Sequence, residues 1–458
     1  MQTTERRVVI TGLGLVCPLG IGLEPSWSAL AAGKGGVGKI RAFPVAGLPN
    51  DFGGEVQGFD PKSLATPKHK RALAKSLRIM ARDIQLAVAA AEMAIVDAGI
   101  AEGGVDPTRI GVDLGAGLIS TELDELAPAI NLSTRADGTF DYAVYGRDGV
   151  EAVEPLWLLK YLPNMPATHI SILNDCQGPS NTITQAEAAS NVALGEAARI
   201  IARGRAEMMI SGGADSKIHP LSLVRMTLLG QMTAWSGDPA AACRPFDAAR
   251  GGWVAGEGAG IIILEEREHA LRRGAHIYGE VLGFGSGCDA VEGGGSDPEG
   301  VGTEIAIRQA LKDARLGPSA IGHVNAHAAG SPAGDLAESR ALVRVFGPEG
   351  VPVTSLKGHM GNLVSGCGAV ELILSLLGVN RGLIPPTLNC DDLDPSIRLD
   401  VIRGACRPTA NPVFLNTNLT RHGQASAVIV RGNPGGELDE GPTAAERASL
   451  TAALIHKG

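Results

Sequence analysis

Aromatic side chains are scarce: Phe, Trp and Tyr make up 3% of the 458 residues. A protein that reads single-stranded nucleic acid by stacking bases needs a platform of such rings, so that class is disfavoured. Positive charge is also in deficit. The 40 Lys and Arg are outnumbered by 49 Asp and Glu, leaving a formal net charge of −9, which works against nonspecific attachment to DNA or to anionic lipid. The seven cysteines show no CxxC and no other metal-ligand spacing. An odd, scattered set fits a reducing cytosol rather than a disulfide framework, and no metal site is expected. No apolar run is long and uninterrupted enough to span a bilayer. Residues 8–23, "VVITGLGLVCPLGIGL", lie behind Arg6 and Arg7 like a signal-peptide core, but four glycines and Pro18 oppose a helical segment and no A-x-A-like site follows closely. They read as a buried strand and a turn, and a cytoplasmic location is expected.

What is present is glycine, 62 residues of it, with 44% hydrophobic and 19% charged side chains. That is the composition of a soluble globular chain with many tight turns and close backbone contacts. Its length allows two or three domain-sized units. "RRVVITGLGLV" is a β-branched strand ending in glycines; the spacing fails GxGxxG, and Pro18 falls where the following helix should begin, so a dinucleotide site is weakly supported. Apolar periodicity predicts one long helix over 71–99, a helix over about 181–203, and further helices at 301–315, 334–346 and about 366–378. A strand and turn are expected at 109–118, a turn and then a buried strand at 252–266, and strands at 206–215, 321–330, 351–357, 412–419 and 425–432. Residues 119–165 read as a surface excursion or interface cap. "HIYGEVLGFGSG" restarts the strand–glycine pattern of the N-terminus. The chain therefore divides into related α/β halves, 1–274 and 275–433, with a polar tail at 434–458. The basic stretch "KHKRALAKSLRIMAR" (68–82) is either a solvated helix face or a patch for an acidic partner.

Chemistry-grade residues gather in three places. Glu187 lies within "GPSNTITQAEAASNVALGEAARII" (178–201), on the run into a helix. "VNAHAAGSPAGDLAE" puts His327 at the end of a buried strand, before a glycine turn. "SLKGHMGNLVSGCGAVE" puts Lys357, His359 and Asn362 in a glycine-rich loop before a helix. Each alone is more often structural: a strand-end histidine is usually a bonded core residue, and a glycine-rich loop is usually a turn. Together, at strand ends of a two-halved α/β protein, they mark a site, because ligands in such folds gather where strands terminate.

These stretches, with "ISGGAD" and "CRPFDAARGGWVAGEGAGIIILEE" in the same order, resemble the β-ketoacyl-acyl-carrier-protein synthases of the KAS II type over roughly residues 6–432. The resemblance implies the thiolase fold, two α/β halves forming a five-layered αβαβα sandwich, as a homodimer or as a heterodimer with a cysteine-bearing ketosynthase. It implies no cofactor beyond the 4'-phosphopantetheine arm of acyl-carrier protein. In that family a cysteine at a helix N-terminus accepts the acyl chain, and two histidines assist decarboxylation of malonyl-carrier protein. The position of that cysteine, nine residues after Gly178, is Glu187 here. His327 matches the first histidine. The second falls on Asn362, with Lys357 retained before it; an amide can still donate a hydrogen bond to an oxyanion. His359 is three residues too early, and Cys176 lies upstream of "GPS", where a small buried hydrophobe is the reading. The family's gating loop is altered to "NTNLTRHGQ" (416–424). Lys75 and Arg78 match two carrier-gripping basic residues, and Ile79 replaces a third.

A carboxylate accepts an acyl group poorly, since the product is a reactive anhydride. It would also repel malonyl by about 4 kcal/mol at ~4 Å and an effective dielectric near ~20, unless Glu187 is protonated or Lys357 neutralises it. Relatives that decarboxylate malonyl without condensing carry a neutral glutamine there. Two expectations follow. One is a non-condensing subunit resembling a chain-length factor. The other is a cysteine-independent enzyme using Glu187, His327 and Asn362 for acid–base chemistry on a carrier-bound acyl group. In both, buried Glu187 is expected to bond to His327 or Lys357.

Overall fold

The computed structural model describes residues 6–62, 69–100, 104–292, 294–436 and 438. The first half contributes the strands β1 Val8–Cys17, β2 Ile110–Ala116, β3 Ser180–Ile183, β4 Met208–Ser216 and β5 Glu257–Glu266. The second contributes β6 Gly279–Cys288, β7 His323–Asn325, β8 Pro352–Thr354, β9 Val413–Leu419 and β10 Gln424–Gly432. Their lateral orders are β1-β5-β4-β2-β3 and β6-β10-β9-β7-β8. In each set the first two pairings are antiparallel and the last two parallel. The second half thus repeats the first strand for strand. A short antiparallel contact between Val8–Ile10 and Gly279–Val281 joins them.

Five helices complete the layers: α1 Arg82–Asp97, α2 Ala189–Ala202, α3 Val301–Ala314, α4 Pro332–Phe346 and α5 Cys367–Val379. α2 and α5 touch strands of both halves and each other; α1 covers the outer face of the first set, and α3, packed on α4, covers the second. This is the expected αβαβα order. Every residue of α5 is buried, as a helix that is apolar all round requires. Glu371 is its one charge.

Local sequence explains the strand–helix contacts. Val8, Ile10, Leu13, Leu15 and Cys17 all enter the central core, although the parity changes between Ile10 and Leu13. A bulge between Ile10 and Gly12 supplies the extra residue that keeps one face inward. The glycines of "GLGL" and "GFGSG" allow strand and helix backbones to approach. A Cβ at Gly14 would lie 1.8 Å from Ala90 O, and one at Gly285 2.1 Å from Ala306 O. The glycine pattern is a packing device repeated in both halves.

Two expected helices are shorter than their periodicity suggests. Over 71–99 the chain forms Lys70–Ser76, a 3-10 turn Leu77–Ile79, and then α1. Met80 and Ala81 are extended between them. Tertiary partners set the new start: Arg82 Nη2 meets Glu257 Oε1 at 2.7 Å, and Asp83 Oδ1 accepts the Ser216 N–H at 3.0 Å. Over 181–203 the first residues join β3 in parallel register with Val112–Gly115, and the helix begins at Ala189. The 119–165 excursion contains a helix, Leu123–Leu132, and exposes Leu123, Tyr142, Leu156 and Leu158. Of the tail, residues 437 and 439–458 lie outside the described residues. Among the described residues no helix is long and apolar enough to cross a membrane.

Candidate functional site

β3 ends at Ile183, and the chain turns sharply before α2. Ala186 takes φ 41°, the left-handed region that a residue with a Cβ seldom adopts and that recurs at functional turns. Ala186–Ala188 then form a single 3-10 turn that carries Glu187. The Glu187 side chain is buried, at 2% exposure, and its Oε1 accepts from Asn362 Nδ2 at 3.2 Å. Asn362 is clamped along its backbone: its N–H bonds Val254 O at 2.8 Å, and its carbonyl accepts the Gly256 N–H at 3.0 Å. Its side-chain Oδ1 accepts from Val364 N–H at 3.0 Å and from the Cys367 thiol at 3.1 Å. Those donors leave only the amide nitrogen to face Glu187.

The expected partner of Glu187, His327 or Lys357, is therefore replaced by Asn362. Lys357 is engaged elsewhere: its Nζ meets Glu371 Oε1 at 2.5 Å, both side chains fully buried. The reason is electrostatic. Glu371 is the charge that α5 carries into the core, and a buried carboxylate without a cation costs several kcal/mol. Burial works against the Lys357 charge, but the Glu371 carboxylate beside it holds the ammonium protonated. Burial pushes the Glu187 carboxyl up from its ordinary range; its own N–H, Asn362 and Lys357 pull it partly back, while Asp215 adds to the rise. Glu187 is thus biased toward the neutral acid, stabilised mainly by exclusion of water.

His327 follows β7. Its N–H and that of Ala328 donate to the two oxygens of Glu338 at 2.8 Å each, and Thr417 Oγ1 donates to Glu338 Oε1 at 2.8 Å. Burial first, and Lys357 second, hold the imidazole well below its usual pKa, so it is neutral. Its Nδ1 is buried and, among the described residues, has no hydrogen-bond partner. His327 lines a cleft of about 390 Å³ together with Trp253, Ser331, Leu419, Thr420 and Arg421. The last three belong to the altered gate. Thr420 Oγ1 accepts from the N–H groups of His422 at 3.3 Å and Gln424 at 3.2 Å, so the turn is internally braced.

Sequence reasoning missed a chain of buried amides behind this centre. Asn325 Nδ2 donates to Asn416 Oδ1 at 2.6 Å, and Asn416 Nδ2 to Asn191 Oδ1 at 3.0 Å. Asn191 Nδ2 donates to Asn418 Oδ1, and Asn418 Nδ2 to Glu371 Oε2, each at 2.9 Å. The chain runs from β7 through α2 and the gate strand to the Lys357–Glu371 pair. The available signal was Asn191, an amide on an apolar helix face, with "NTN" at the strand end. Buried amides require one another as partners.

The remaining candidates fall outside this centre. His359 has Nδ1 2.9 Å from Lys34 O and Nε2 2.9 Å from Pro386 O, and pins two loops. Cys176 lies just past the helix Met165–Asn174; its thiol is pushed up to about 12 by burial, with Asp175 adding to it. Lys75 and Arg78 are exposed on the short segment before α1.

Two repeated α/β halves, with a buried polar centre where the middle helices begin, define a thiolase-fold protein. The family models "Beta-ketoacyl synthase, N-terminal domain" and "Beta-ketoacyl synthase, C-terminal domain" match residues 5–270 and 278–391, and the chain belongs to the β-ketoacyl synthase family. It is 33% identical over 430 residues to 3-oxoacyl-[acyl-carrier-protein] synthase 2 of Vibrio cholerae, covering 93% of this chain and 99% of the relative. Among solved structures, the ishigamide ketosynthase/chain length factor matches with a TM-score of 0.82 at 30% identity, over 94% of this chain and 100% of that one. A type II PKS acyl-carrier protein in complex with its ketosynthase matches with a TM-score of 0.78 at 28% identity, over 94% and 100%.

Proposed function

We propose that this chain is a non-condensing ketosynthase-like subunit of fatty acid or polyketide biosynthesis. It pairs with a cysteine-bearing ketosynthase and shapes the path of a chain held on acyl-carrier protein, as a chain-length factor does. The observation that carries this reading is Glu187: at the position matching the nucleophile stands a buried carboxyl held by Asn362. Cys367 does not replace the missing thiol. It is fully buried, its Sγ faces Asn362 Oδ1, and burial raises its pKa well above the ordinary value. The likeness to a ketosynthase/chain length factor structure supports the same reading.

The test is coexpression with the cysteine-bearing ketosynthase encoded nearest to it. A one-to-one complex should copurify, and the chain alone should take no acyl group from malonyl- or acyl-carrier protein. A stable homodimer that turns over carrier-bound substrate by itself would defeat the proposal. That outcome would favour the second reading, acid–base chemistry by Glu187, His327 and Asn362. Its support is His327, a residue of the cleft lining whose buried Nδ1 has no hydrogen-bond partner among the described residues.

Carrier protein, through its 4'-phosphopantetheine arm, is the proposed substrate vehicle. Lys75→Glu with Arg78→Glu should weaken its binding at least about fivefold at low ionic strength, and less as salt shortens the Debye length to ~8 Å near 0.15 M. Surface plasmon resonance across a salt series checks this; unchanged affinity at every salt concentration means these side chains are only solvated surface.

A further inference from the structure

At the C-terminal end of α2, the end away from Glu187, a cavity of about 670 Å³ opens on the surface. Its lining includes Arg6, Arg7, Arg199, Arg203 and Arg315, against the carboxylates Glu280 and Asp313. On a chain with a net charge of −9, such a concentration of guanidinium groups is out of character. It is assembled from four separate parts of the chain: the approach to β1, the last turn of α2, the strand β6 and the end of α3.

The carboxylates already have partners. Glu280 takes a two-pronged bond from Arg7, Nε to Oε1 at 2.6 Å and Nη2 to Oε2 at 2.8 Å, and also faces Arg431 Nη2 at 3.6 Å. Asp313 Oδ2 accepts the Phe284 N–H at 2.9 Å. Arg199 lies with Cζ 5.0 Å from the centre of the Phe284 ring and pairs with Glu196 at 3.3 Å. Its guanidinium is therefore oriented before any ligand arrives. Arg6 and Arg203 are exposed and, among the described residues, neither forms an ion pair or a side-chain hydrogen bond. One side of the cavity is braced by aromatic stacking and ion pairs, and two further cations project from its lining.

We propose that this cavity binds a small molecule carrying two or more phosphate groups, with Arg6 and Arg203 as its principal anchors and Arg199 as a pre-oriented third. Planar guanidinium groups match phosphate oxygens in pairs, and several in one concavity favour a ligand with several anionic groups. The volume lies within the range of small-molecule sites, so it accommodates an inorganic oligophosphate or a nucleoside polyphosphate. The site is separate from the carrier-binding segment and from the Glu187 centre, and its existence does not rest on the function proposed above.

Isothermal titration of the full chain at low salt, with inorganic pyrophosphate and with adenosine triphosphate as separate probes, tests it. Pyrophosphate should bind at micromolar to low-millimolar concentration, and Arg203→Glu should weaken it at least tenfold. Arg203→Lys should weaken it less, because the charge survives and the fork does not. Arg135→Glu, on the distant excursion, should leave it unchanged. Tighter binding of the nucleotide assigns the nucleotide as the source of the phosphates, and equal binding assigns the free oligophosphate. No heat from either probe up to several millimolar, or equal binding by wild type and Arg6→Glu/Arg203→Glu, overturns the proposal.

Discussion

Lys357→Met should destabilise the fold by about 3–5 kcal/mol in a denaturant titration, the range for removing one member of a buried ion pair. The cation and Glu371 are both fully buried, 2.5 Å apart. Without Lys357 the carboxylate keeps only neutral amide donors, Asn418 Nδ2 among them, and no water reaches it. Glu371→Gln in the same chain should restore much of the loss, since glutamine can still accept from Asn418 and carries no charge. The exposed pair Lys39–Asp51, 2.7 Å apart with 71% and 42% of the side chains exposed, is the contrast: Lys39→Met should leave the denaturation midpoint nearly unchanged. A loss below about 1 kcal/mol for Lys357→Met would mean that Glu371 is neutral at rest and that the core holds no ion pair there.

Glu187→Gln should stabilise the protein at alkaline pH and leave it unchanged near pH 5. The Glu187 carboxyl is raised above its ordinary 4.5, chiefly by burial. The folded state therefore holds its proton after the unfolded state has released one. Stability is fully present below the unfolded value and falls as pH rises through the folded one. Glutamine has no proton to lose and keeps an oxygen for Asn362, so this part of the slope disappears. The gain at pH 8 should be about 1–3 kcal/mol, the usual cost of a poorly matched buried polar group; paired denaturation curves at pH 5 and pH 8 measure it. Above the pH at which Glu187 loses its proton, the same substitution removes a charge that would repel malonyl, so at alkaline pH decarboxylation of malonyl-carrier protein should appear in the variant and be absent from the native chain. If the native chain already decarboxylates malonyl-carrier protein and Glu187→Gln loses that activity, the carboxyl group is catalytic and the non-condensing reading is wrong.

Much of the architecture was legible without coordinates. β-branched runs ending in glycine marked β1 and β6, and their recurrence 271 residues apart (Val8 to Gly279) announced the repeat. The order of three motifs brought Glu187, His327, Lys357 and Asn362 into one reading. Those features are local: period, turn chemistry and glycine spacing are properties of neighbouring residues, and they survive any placement of the rest of the chain. What local pattern could not decide was where a regular element stops. The helix expected over 71–99 breaks at Met80–Ala81 because Arg82 and Asp83 bind Glu257 and Ser216. Nor could it decide which buried charge meets which. Glu187 pairs with Asn362 and Lys357 with Glu371 because α5 brings its own carboxylate into the core. The amide chain from Asn325 to Asn418 and the arginine cavity likewise join residues scattered along the chain. The sequence by itself determined the two-halved fold and pointed to Glu187, His327, Lys357 and Asn362, but not to the amides and Glu371 behind them. Only the tertiary structure decided the partners within it, because in a water-free interior each polar group is matched by distance, and distance across folded layers is absent from local pattern.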